Sequence, residues 1–320
     1  MTKNLVTGGA GFIGYRVAKH LSDLNQEVVL VDNFLRGQKD KSLTTLLERS
    51  NVTFVECDLT DSSFMERLGG NYDHVYHFAA INGTKNFYER PQDVLRINLL
   101  TTINILDWFI TSNSKKILFS SSSETYSGTK TLGKLPVPTP EDVPLCIEDI
   151  SNPRWSYAGS KIAGELLFLN YARAYNITMS IVRYHNIYGP RMGYDHVIPE
   201  FCQKLKNKNG HFSMMGGSET RAFCFIEDAV LATEAVMKSD KTDGEIIHIG
   251  NHKEEITIDS LAKLMIDLHG SNPTIIKTPP PTGTVSRRCP NVDKLKEMTG
   301  FEAAVSLSEG LKITMDWYLR

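Results

Sequence analysis

Two side chains one helical turn apart could perform acid–base chemistry in this protein. Tyr157 and Lys161 stand four residues apart in a helical pattern, so they share one face of that helix. A tyrosine is a useful base only if its pKa, about 10 in water, is lowered toward neutrality. A neighbouring ammonium favours the phenolate, and the same lysine could bond the ribose of a cofactor. An exposed pair has the same spacing, but a glycine motif near the N-terminus and a serine cluster at the end of the preceding strand favour catalysis.

The glycine motif predicts a dinucleotide site. Gly8, Gly11 and Gly14 form G-x-x-G-x-x-G between a buried strand and a helix, where glycine permits a tight turn and a close approach of backbone N–H groups to a pyrophosphate. Asp32 follows at the end of the second predicted strand. Its carboxylate would accept hydrogen bonds from the adenosine ribose and repel a 2′-phosphate, which favours NAD. Arg36 lies close enough in the sequence to leave NADP as an alternative.

Asp58 and Leu59, which follow the third predicted strand, allow two interpretations. The Asp58 carboxylate could bond the edge of the adenine while Leu59 packs against the ring. Alternatively, Asp58 is an ordinary helix N-cap, since Thr60 and Asp61 follow it and aspartate is a good capping residue.

The elements that must position these groups alternate between strands and helices. The predicted strands lie at residues 5–6, 28–31, 52–55, 74–78, 116–119 and 179–182, and the most distinct helices at 94–109 and 157–175. This alternation predicts an α/β fold with a Rossmann-type doubly wound parallel sheet. We assign residues 1–180 to an NAD-binding core, to which a later strand near 246–250 returns. Residues 181–320 form mainly a smaller, mixed α/β substrate lobe, with a loop at 278–283.

Composition excludes several classes of function. The 320 residues are 41% hydrophobic and 22% charged with a formal net charge of −2, so the positive field of a nucleic-acid-binding protein is absent. Mean hydropathy is −0.23, and no apolar run reaches the ~18–20 residues that cross a bilayer. We therefore expect a soluble, cytoplasmic protein with neither membrane nor nucleic-acid partners. The five cysteines are scattered without a C-x-x-C pair, which predicts neither a disulfide framework nor a metal site.

The motifs together resemble the extended short-chain dehydrogenase/reductase family, and within it the branch of nucleotide-sugar epimerases, dehydratases and decarboxylases. The resemblance rests on residues 7–14 (TGGAGFIG), 32–33 (DN), 77–80 (HFAA) and 157–161 (YAGSK), and it extends over essentially the whole chain. It implies an NAD-dependent enzyme that acts on a nucleotide-diphosphate sugar. The residues predicted to contact the cofactor are Gly8, Gly11, Phe12, Ile13, Asp32, Asn33, Asp58, Leu59, Ala79, Ala80, Tyr157 and Lys161.

The resemblance also implies the catalytic groups. It maps the partner of Tyr157 and Lys161 onto Ser122, whose hydroxyl would steady the sugar oxygen while hydride leaves C4. The next two residues, Ser123 and Glu124, distinguish the reactions. In the family, simple 4-epimerases carry small residues at these two positions, whereas the best-known 4,6-dehydratases carry Asp-Glu. Ser-Glu is similar to GDP-mannose 4,6-dehydratases and UDP-glucuronate decarboxylases, so we predict C5 chemistry with Glu124 as the base. A 4-epimerase, a non-catalytic NAD-binding protein and a Glu124 turned into solvent are the alternatives.

For the substrate, the resemblance implies contacts of Asn186 and Arg221 with the sugar diphosphate and a stretch around Val197 that holds the nucleotide base. Arg288, rather than its neighbour Arg287, is predicted to face the sugar, in a segment that resembles the decarboxylases. The chain departs from those decarboxylases after Ala79 and Ala80, because it lacks their Cys-Pro turn. The choice among dehydratase, decarboxylase and epimerase therefore stays open at this point.

A homodimer is also implied. In the family, the two helices that carry Trp108, Phe109, Phe168 and Tyr171 pair across a dimer as a four-helix bundle. We predict that these aromatic side chains serve the core or the subunit interface and do not contact the cofactor.

Overall fold

A computed structural model of the protein describes residues 1–133, 135–207, 210–280 and 285–320. The last part of the loop predicted at 278–283 lies outside the described residues, and Thr278 ends a strand. Among the described helices, none combines the length and the apolar character needed to cross a membrane.

The chain alternates between strands and helices through its first half and changes to short mixed elements in its second half. The strands are β1 (Lys3–Thr7), β2 (Glu27–Asp32), β3 (Val52–Glu56), β4 (His74–His77), β5 (Lys116–Ser122), β6 (Thr178–Tyr184), β7 (Ile187–Tyr188), β8 (His211–Met215), β9 (Thr220–Ala222), β10 (Cys224–Phe225), β11 (Ile246–Ile249), β12 (Glu255–Thr257), β13 (Thr274–Thr278) and β14 (Arg287–Arg288). The α-helices are α1 (Phe12–Asp23), α2 (Lys41–Leu47), α3 (Thr84–Glu89), α4 (Pro91–Phe109), α5 (Ser127–Thr131), α6 (Trp155–Tyr175), α7 (Val197–Lys206), α8 (Ile226–Lys238), α9 (Ile258–His269), α10 (Asp293–Thr299) and α11 (Leu307–Leu319). Four 3₁₀ turns lie at Ser62–Leu68, Ser123–Tyr126, Asp240–Thr242 and His252–Glu254.

Seven parallel strands form the central sheet, in the order β3-β2-β1-β4-β5-β6-β11. The strands of its interior are buried on both faces, as the continuous apolar run of β2 indicates. The direction in which strands are added reverses between β1 and β4, and in such sheets ligands bind beyond the carboxyl ends of the strands at this point. The prediction of a Rossmann-type doubly wound sheet is confirmed.

Two hydrophobic cores cover the two faces of this sheet. One core contains α1 and α8 and continues into the lobe formed by α7, α9 and α11. The other contains α4 and α6, which pack against each other and against β5. Trp108, Phe109 and Phe168 belong to this second core and are buried within the subunit, where they stabilise the packing of the helices on the sheet.

A buried asparagine joins the two helices of the second layer to the loop after β4. Asn98 in α4 accepts a hydrogen bond from the Ile81 backbone N–H at 2.7 Å and donates to the Ile81 carbonyl at 3.1 Å. Its amide also donates to the Ser160 hydroxyl in α6 at 3.0 Å. The loop that contains Ala79 and the helix that carries Tyr157 are therefore held at a fixed separation, because a buried amide left without partners would cost ~1–3 kcal/mol.

Candidate active site

The turn after β1 forms a tight backbone cradle in which Gly8 and Gly14 leave no room for a side chain. Gly8 has a left-handed φ of +67°, and a Cβ atom there would lie 2.8 Å from the Ala79 backbone nitrogen. A Cβ atom on Gly14 would lie 2.2 Å from the Gly8 carbonyl oxygen. Helix α1 begins at Phe12 directly beyond Gly11, so its first N–H groups lack partners within the helix and face the open side of the turn. These N–H groups and the positive end of the helix dipole suit the pyrophosphate of a dinucleotide.

Asp32 is positioned by the same turn. Its Oδ2 accepts a hydrogen bond from the Ala10 N–H at 3.0 Å, and its Oδ1 accepts one from the Phe34 N–H at 2.8 Å. Burial raises the pKa of the Asp32 carboxyl, and the two N–H groups and the nearby Arg191 oppose that rise. Each oxygen retains acceptor capacity for a ribose hydroxyl.

Asp58 does not cap a helix. Its Oδ1 accepts from the Thr60 N–H at 2.9 Å in a tight turn, whereas Asp61 caps the following 3₁₀ turn.

A cleft of about 430 Å³ opens at the carboxyl ends of β1, β2, β4 and β5 and continues to Asn186. The sequence-predicted residues that line it are Gly8, Gly11, Phe12, Ile13, Asp32, Asn33, Asp58, Leu59, Ala79, Ala80, Ser122, Ser123, Glu124, Tyr157, Lys161, Asn186 and Arg288. The structure thus brings residues from both halves of the chain to one cavity, here called the cofactor cleft. The glycine cradle and the acceptor at Asp32 fit an adenine dinucleotide at one end of it.

Ser122, Tyr157 and Lys161 lie at the other end of the cofactor cleft. The Ser122 hydroxyl accepts a hydrogen bond from the Glu124 N–H at 3.2 Å, where the chain leaves β5 and turns. The Lys161 ammonium donates to the Ser120 carbonyl at 2.7 Å and lies 5.8 Å from the centre of the Tyr157 ring. Tyr157 stacks on Phe87 with the ring centres 5.1 Å apart.

The ionisation of this pair differs from the sequence prediction. Burial raises the pKa of Tyr157 to about 12, and its interactions with Ser122 and Asn82 lower it only in part. Burial also lowers the pKa of Lys161 to about 7, so the ammonium is itself disfavoured. The four-residue spacing correctly places both groups on one face, but it could not reveal that both are removed from water and that desolvation dominates the pKa of each.

Glu124 is held as a carboxylate by two arginines. Its Oε1 accepts a hydrogen bond from Arg288 Nη1 at 2.7 Å, and its Oε2 lies 3.8 Å from Arg154 Nη2 and 3.1 Å from the Ser127 hydroxyl. Burial raises the pKa of this carboxyl, but the charges of Arg288 and Arg154 outweigh burial, and the net effect is a lowered pKa. Arg287 points elsewhere and forms an ion pair with Glu255 at 2.8 Å.

A chain of hydrogen bonds connects the Glu124 turn to the segment that carries Arg288. The Tyr126 hydroxyl, which accepts a bond from Arg183, contacts His248 Nε2 at 2.5 Å. His248 Nδ1 lies 3.0 Å from the Asn291 carbonyl. Because a carbonyl only accepts, His248 carries its proton on Nδ1, and its Nε2 accepts a hydrogen bond from the Tyr126 hydroxyl.

Val197 and Arg221 line a second cavity of about 270 Å³ that adjoins the cofactor cleft. Asn186, Ile187, Met192 and His196 line both. Arg221 donates to the Thr220 and Val285 carbonyls at 2.7 and 2.8 Å. Burial lowers its pKa to about 10, with the charge of Arg288 acting in the same direction, so the site favours an anion that would complete the solvation of both guanidinium groups.

Sequence reasoning missed Arg154 and Arg191 around the cofactor cleft, and it considered Arg36 only as a reason to keep NADP as an alternative. Arg154 lies one helical turn before Tyr157, a spacing that could have revealed it. Arg36 donates to the Asn82 side chain on the opposite wall of the cofactor cleft, and Arg191 bonds the glycine turn from the lobe. These two contacts join residues far apart in the chain, so no local pattern marks them.

Comparison with known proteins gives a consistent result. The family model described as NAD dependent epimerase/dehydratase family matches residues 4–250. A UDP-N-acetyl-alpha-D-glucosaminuronate decarboxylase of Bacillus cytotoxicus is 37% identical and the alignment covers 98% of this chain and 97% of that protein. A UDP-glucose 4-epimerase of Thermotoga maritima, solved with UDP-glucose, has a TM-score of 0.87 at 30% identity and covers 99% and 98% of the two chains. A dTDP-glucose 4,6-dehydratase of Streptomyces venezuelae, solved with NAD, has a TM-score of 0.88 at 25% identity and covers 99% and 97%.

Proposed function

Since the chain belongs to the NAD-dependent epimerase/dehydratase family, we propose that it decarboxylates a UDP-linked hexuronate after transient oxidation at C4. The observation that carries the proposal is the Glu124–Arg288 ion pair, 2.7 Å long, in the cofactor cleft that also contains Ser122 and Tyr157. A guanidinium at this position suits a sugar carboxylate, which an enzyme that acts on a neutral sugar does not need to bind. The similarity to a UDP-N-acetylglucosaminuronate decarboxylase supports the same substrate class.

The first step assigns roles to Ser122, Tyr157 and Lys161. The chemistry that NAD supplies when bound is reversible hydride transfer, and Gly8, Gly11 and Asp32 are the residues that would hold it. Tyr157 in its phenolate form accepts the proton of the C4 hydroxyl, while the Ser122 hydroxyl hydrogen-bonds the same C4 oxygen. Burial opposes the ionisation of Tyr157, whereas its hydrogen bond with Ser122 and the positive charge of Arg36 favour that ionisation.

The second step uses Arg288 and Glu124. Oxidation at C4 makes the sugar a β-keto acid, whose C5–C6 bond breaks to release carbon dioxide while its electron pair moves into the C4 carbonyl. Arg288 binds the departing carboxylate and is drawn away from Glu124. Glu124, which then lacks its main cation in a largely buried position, takes up a proton from solvent and delivers it from Oε1 to C5. In a decarboxylation Glu124 therefore acts as an acid, in place of the role as a base predicted from the sequence. Reduction of the C4 carbonyl, with Tyr157 returning its proton to the C4 oxygen, restores the C4 alcohol. Overall, one proton is consumed and one carbon dioxide is released for each sugar.

The second cavity is proposed to hold the nucleotide. Asn186 lines both cavities and Arg221 lines the second, so these two residues would contact the diphosphate, and the backbone around Val197 would contact the base. We divide the protein accordingly into an NAD-binding core of residues 1–180 with Ile246–Ile249, and a substrate lobe formed mainly by residues 181–320.

The test is incubation with a panel of UDP-, GDP-, dTDP- and CDP-sugars, including UDP-glucuronate and UDP-N-acetylglucosaminuronate, followed by mass spectrometry and NMR. We expect a UDP-hexuronate to lose carbon dioxide and, in deuterium oxide, to gain one deuterium at C5. An unchanged mass with inverted C4 stereochemistry would instead establish the 4-epimerase alternative, and loss of water from a neutral sugar would establish a dehydratase. A Glu124→Gln variant that keeps full turnover would remove Glu124 from the mechanism.

We also propose that the protein is a homodimer. The outer faces of α4 and α6 expose Leu95 and Leu166, which are 41% and 57% accessible, on the two helices that pair in the family. Leu166→Glu is expected to convert dimers into monomers in light-scattering measurements. Leu231→Glu, at a leucine of α8 that is 43% exposed, serves as the control and should leave the mass unchanged.

A further inference from the structure

One segment of the lobe contributes to both cavities. Residues 186–198, here called the bridging segment, run from the end of β6 into α7. Four of its side chains line the cofactor cleft and the second cavity at once: Asn186, Ile187, Met192 and His196. Whatever fixes the position of this segment therefore sets the shape of both cavities.

Arg191 fixes the bridging segment to the cofactor turn. Its Nη1 donates to the Ala10 and Gly11 carbonyls at 3.0 and 3.1 Å, and its Nη2 donates to the Gln38 carbonyl at 2.9 Å. Its Nε forms a 2.6 Å ion pair with Asp40. Four of the five N–H groups of the guanidinium are thus directed at the loops after β1 and β2.

The environment of Arg191 makes this connection rigid. The side chain is 2% exposed and its guanidinium lies 4.3 Å from the centre of the Tyr15 ring in α1. Its backbone has a left-handed φ of +75°, which costs a non-glycine residue of order 1 kcal/mol and persists only where the surroundings impose it. The bonds to the cofactor turn supply that restraint.

The two carbonyls bonded by Arg191 belong to the turn that would receive a pyrophosphate. Ala10 and Gly11 precede Phe12, where the exposed N–H groups of α1 begin. An anion that draws these N–H groups toward itself also orients the adjoining peptide carbonyls, and the guanidinium transmits that orientation to Met192 and His196. A planar group with several donors does this better than a single ammonium, because it resists rotation.

We propose that Arg191 is a positioning residue that couples the two sites, so that a dinucleotide in the cofactor cleft and a nucleotide in the second cavity bind with positive cooperativity. The inference rests on the proposed function, because it takes UDP as the occupant of the second cavity. Coupling between two ligands is reciprocal, so each must raise the affinity of the other by the same factor.

The experiment measures that factor without turnover. The dissociation rate of NAD from the purified protein is followed by displacement with excess fluorescent etheno-NAD, with and without saturating UDP, and the affinity for UDP is measured by calorimetry with and without NAD. In the wild type we expect NAD to tighten UDP binding at least about 5-fold, and this ratio of affinities is the coupling factor. We also expect UDP to slow the release of NAD, which is an independent sign of the same coupling. A protein that binds UDP equally well with and without NAD would overturn the coupling and leave the proposed function intact, whereas a protein that binds no UDP would contradict both.

Two variants and one control assign the coupling to Arg191. Arg191→Lys keeps the charge but cannot bond four acceptors at once, and should reduce the factor to below about 2-fold. Asp40→Asn keeps Arg191 in place with a weaker anchor and should give an intermediate factor, which provides a second measurement if the lysine variant folds poorly. Arg16→Gln breaks the 3.2 Å pair between α1 and Glu227 of α8, a contact outside the bridging segment, and should leave the factor unchanged. Wild-type coupling in both Arg191→Lys and Asp40→Asn would overturn the assignment, since a merely structural role lowers stability without changing the ratio.

Discussion

Replacement of Arg288 by glutamine gives the sharpest test of the ion pair in the cofactor cleft. The pair is 2.7 Å long, and its side chains are 16% and 24% exposed, so solvent screens it only in part. A hydrogen bond between charged groups in such a position is worth about 1.5–3 kcal/mol. If the guanidinium binds the carboxylate in the transition state, kcat/KM for the hexuronate falls by about 10- to 150-fold, since 1.4 kcal/mol is a factor of ten.

The same variant has a defined effect on stability. The folded-state pKa of Glu124 is lowered, so the carboxylate contributes stability above its unfolded pKa of 4.5 and loses that contribution as the pH falls through the folded pKa. The difference in unfolding free energy between the wild type and Arg288→Gln is therefore expected to be greatest near neutral pH and to shrink in acid. Urea unfolding at a series of pH values measures it.

The neighbouring arginine provides the control. Arg287 pairs with Glu255 outside the cofactor cleft and is 48% exposed, so Arg287→Gln should change kcat/KM by less than about 2-fold, in keeping with the small energy of an exposed pair. Affinity for UDP should be unaffected in both variants. Equal activities of the two variants, or a stability difference that does not depend on pH, would refute the reasoning.

Three further variants test other parts of the structure. Gly14→Ala should lose bound NAD while remaining folded, because the added Cβ would lie 2.2 Å from the Gly8 carbonyl oxygen and would displace the backbone of the glycine turn. The amount of NAD released by heating the protein measures this loss, and a wild-type NAD content would contradict it. Glu165→Gln should destabilise the protein by about 3–5 kcal/mol in denaturant titrations, because it leaves the buried Arg183, 2.6 Å away, without its counter-charge; a change below 1 kcal/mol would show that the pair is replaceable. Lys161→Met should abolish turnover and also remove a pH dependence of stability. The folded-state pKa of Lys161 is lowered to about 7, so this group raises the free energy of unfolding of the wild type as the pH increases from about 7 toward 10.5. Calorimetry of NAD-free Lys161→Met should show no such increase.

The fold and much of the cofactor cleft were predictable because their signals are local. The turn at Gly8, Gly11 and Gly14 and the acid at Asp32 are each set by backbone sterics within a few residues, and the alternating apolar runs determine the sheet. The choice of Arg288 over Arg287 also agrees with the structure, since only the former enters the cofactor cleft. The functions of these residues stay predictions until the variants are measured.

The electrostatics and the connections between lobes could not be predicted in the same way. The raised pKa of Tyr157 follows from burial by side chains such as Phe87, which lies seventy residues away in the chain. Arg191 was visible in the sequence after Tyr188, but its partners at Ala10 and Gln38 are brought to it by the folding of the lobe on the core. Contacts between residues far apart in the chain determine both the pKa of Tyr157 and the partners of Arg191, so the spacing of residues along the sequence cannot predict either.

His248, which hydrogen-bonds both Tyr126 and Asn291, makes the folding stability of the protein depend on pH in mild acid without changing the active site. Burial and the charge of Arg183 lower the pKa of His248 to about 3, so it stays neutral over the range in which most enzymes are assayed. As the pH falls from 6.5 toward 3, His248 binds a proton in the unfolded chain but stays neutral in the folded protein. The free energy of unfolding therefore declines, although the hydrogen bonds of His248 in the folded protein do not change. Mild acid should therefore deplete the folded population and leave the alignment of Glu124 with Arg288 unaltered in the molecules that remain. Activity lost in this range and recovered on neutralisation reports refolding, and the specific activity of the folded fraction stays a direct measure of the chemistry.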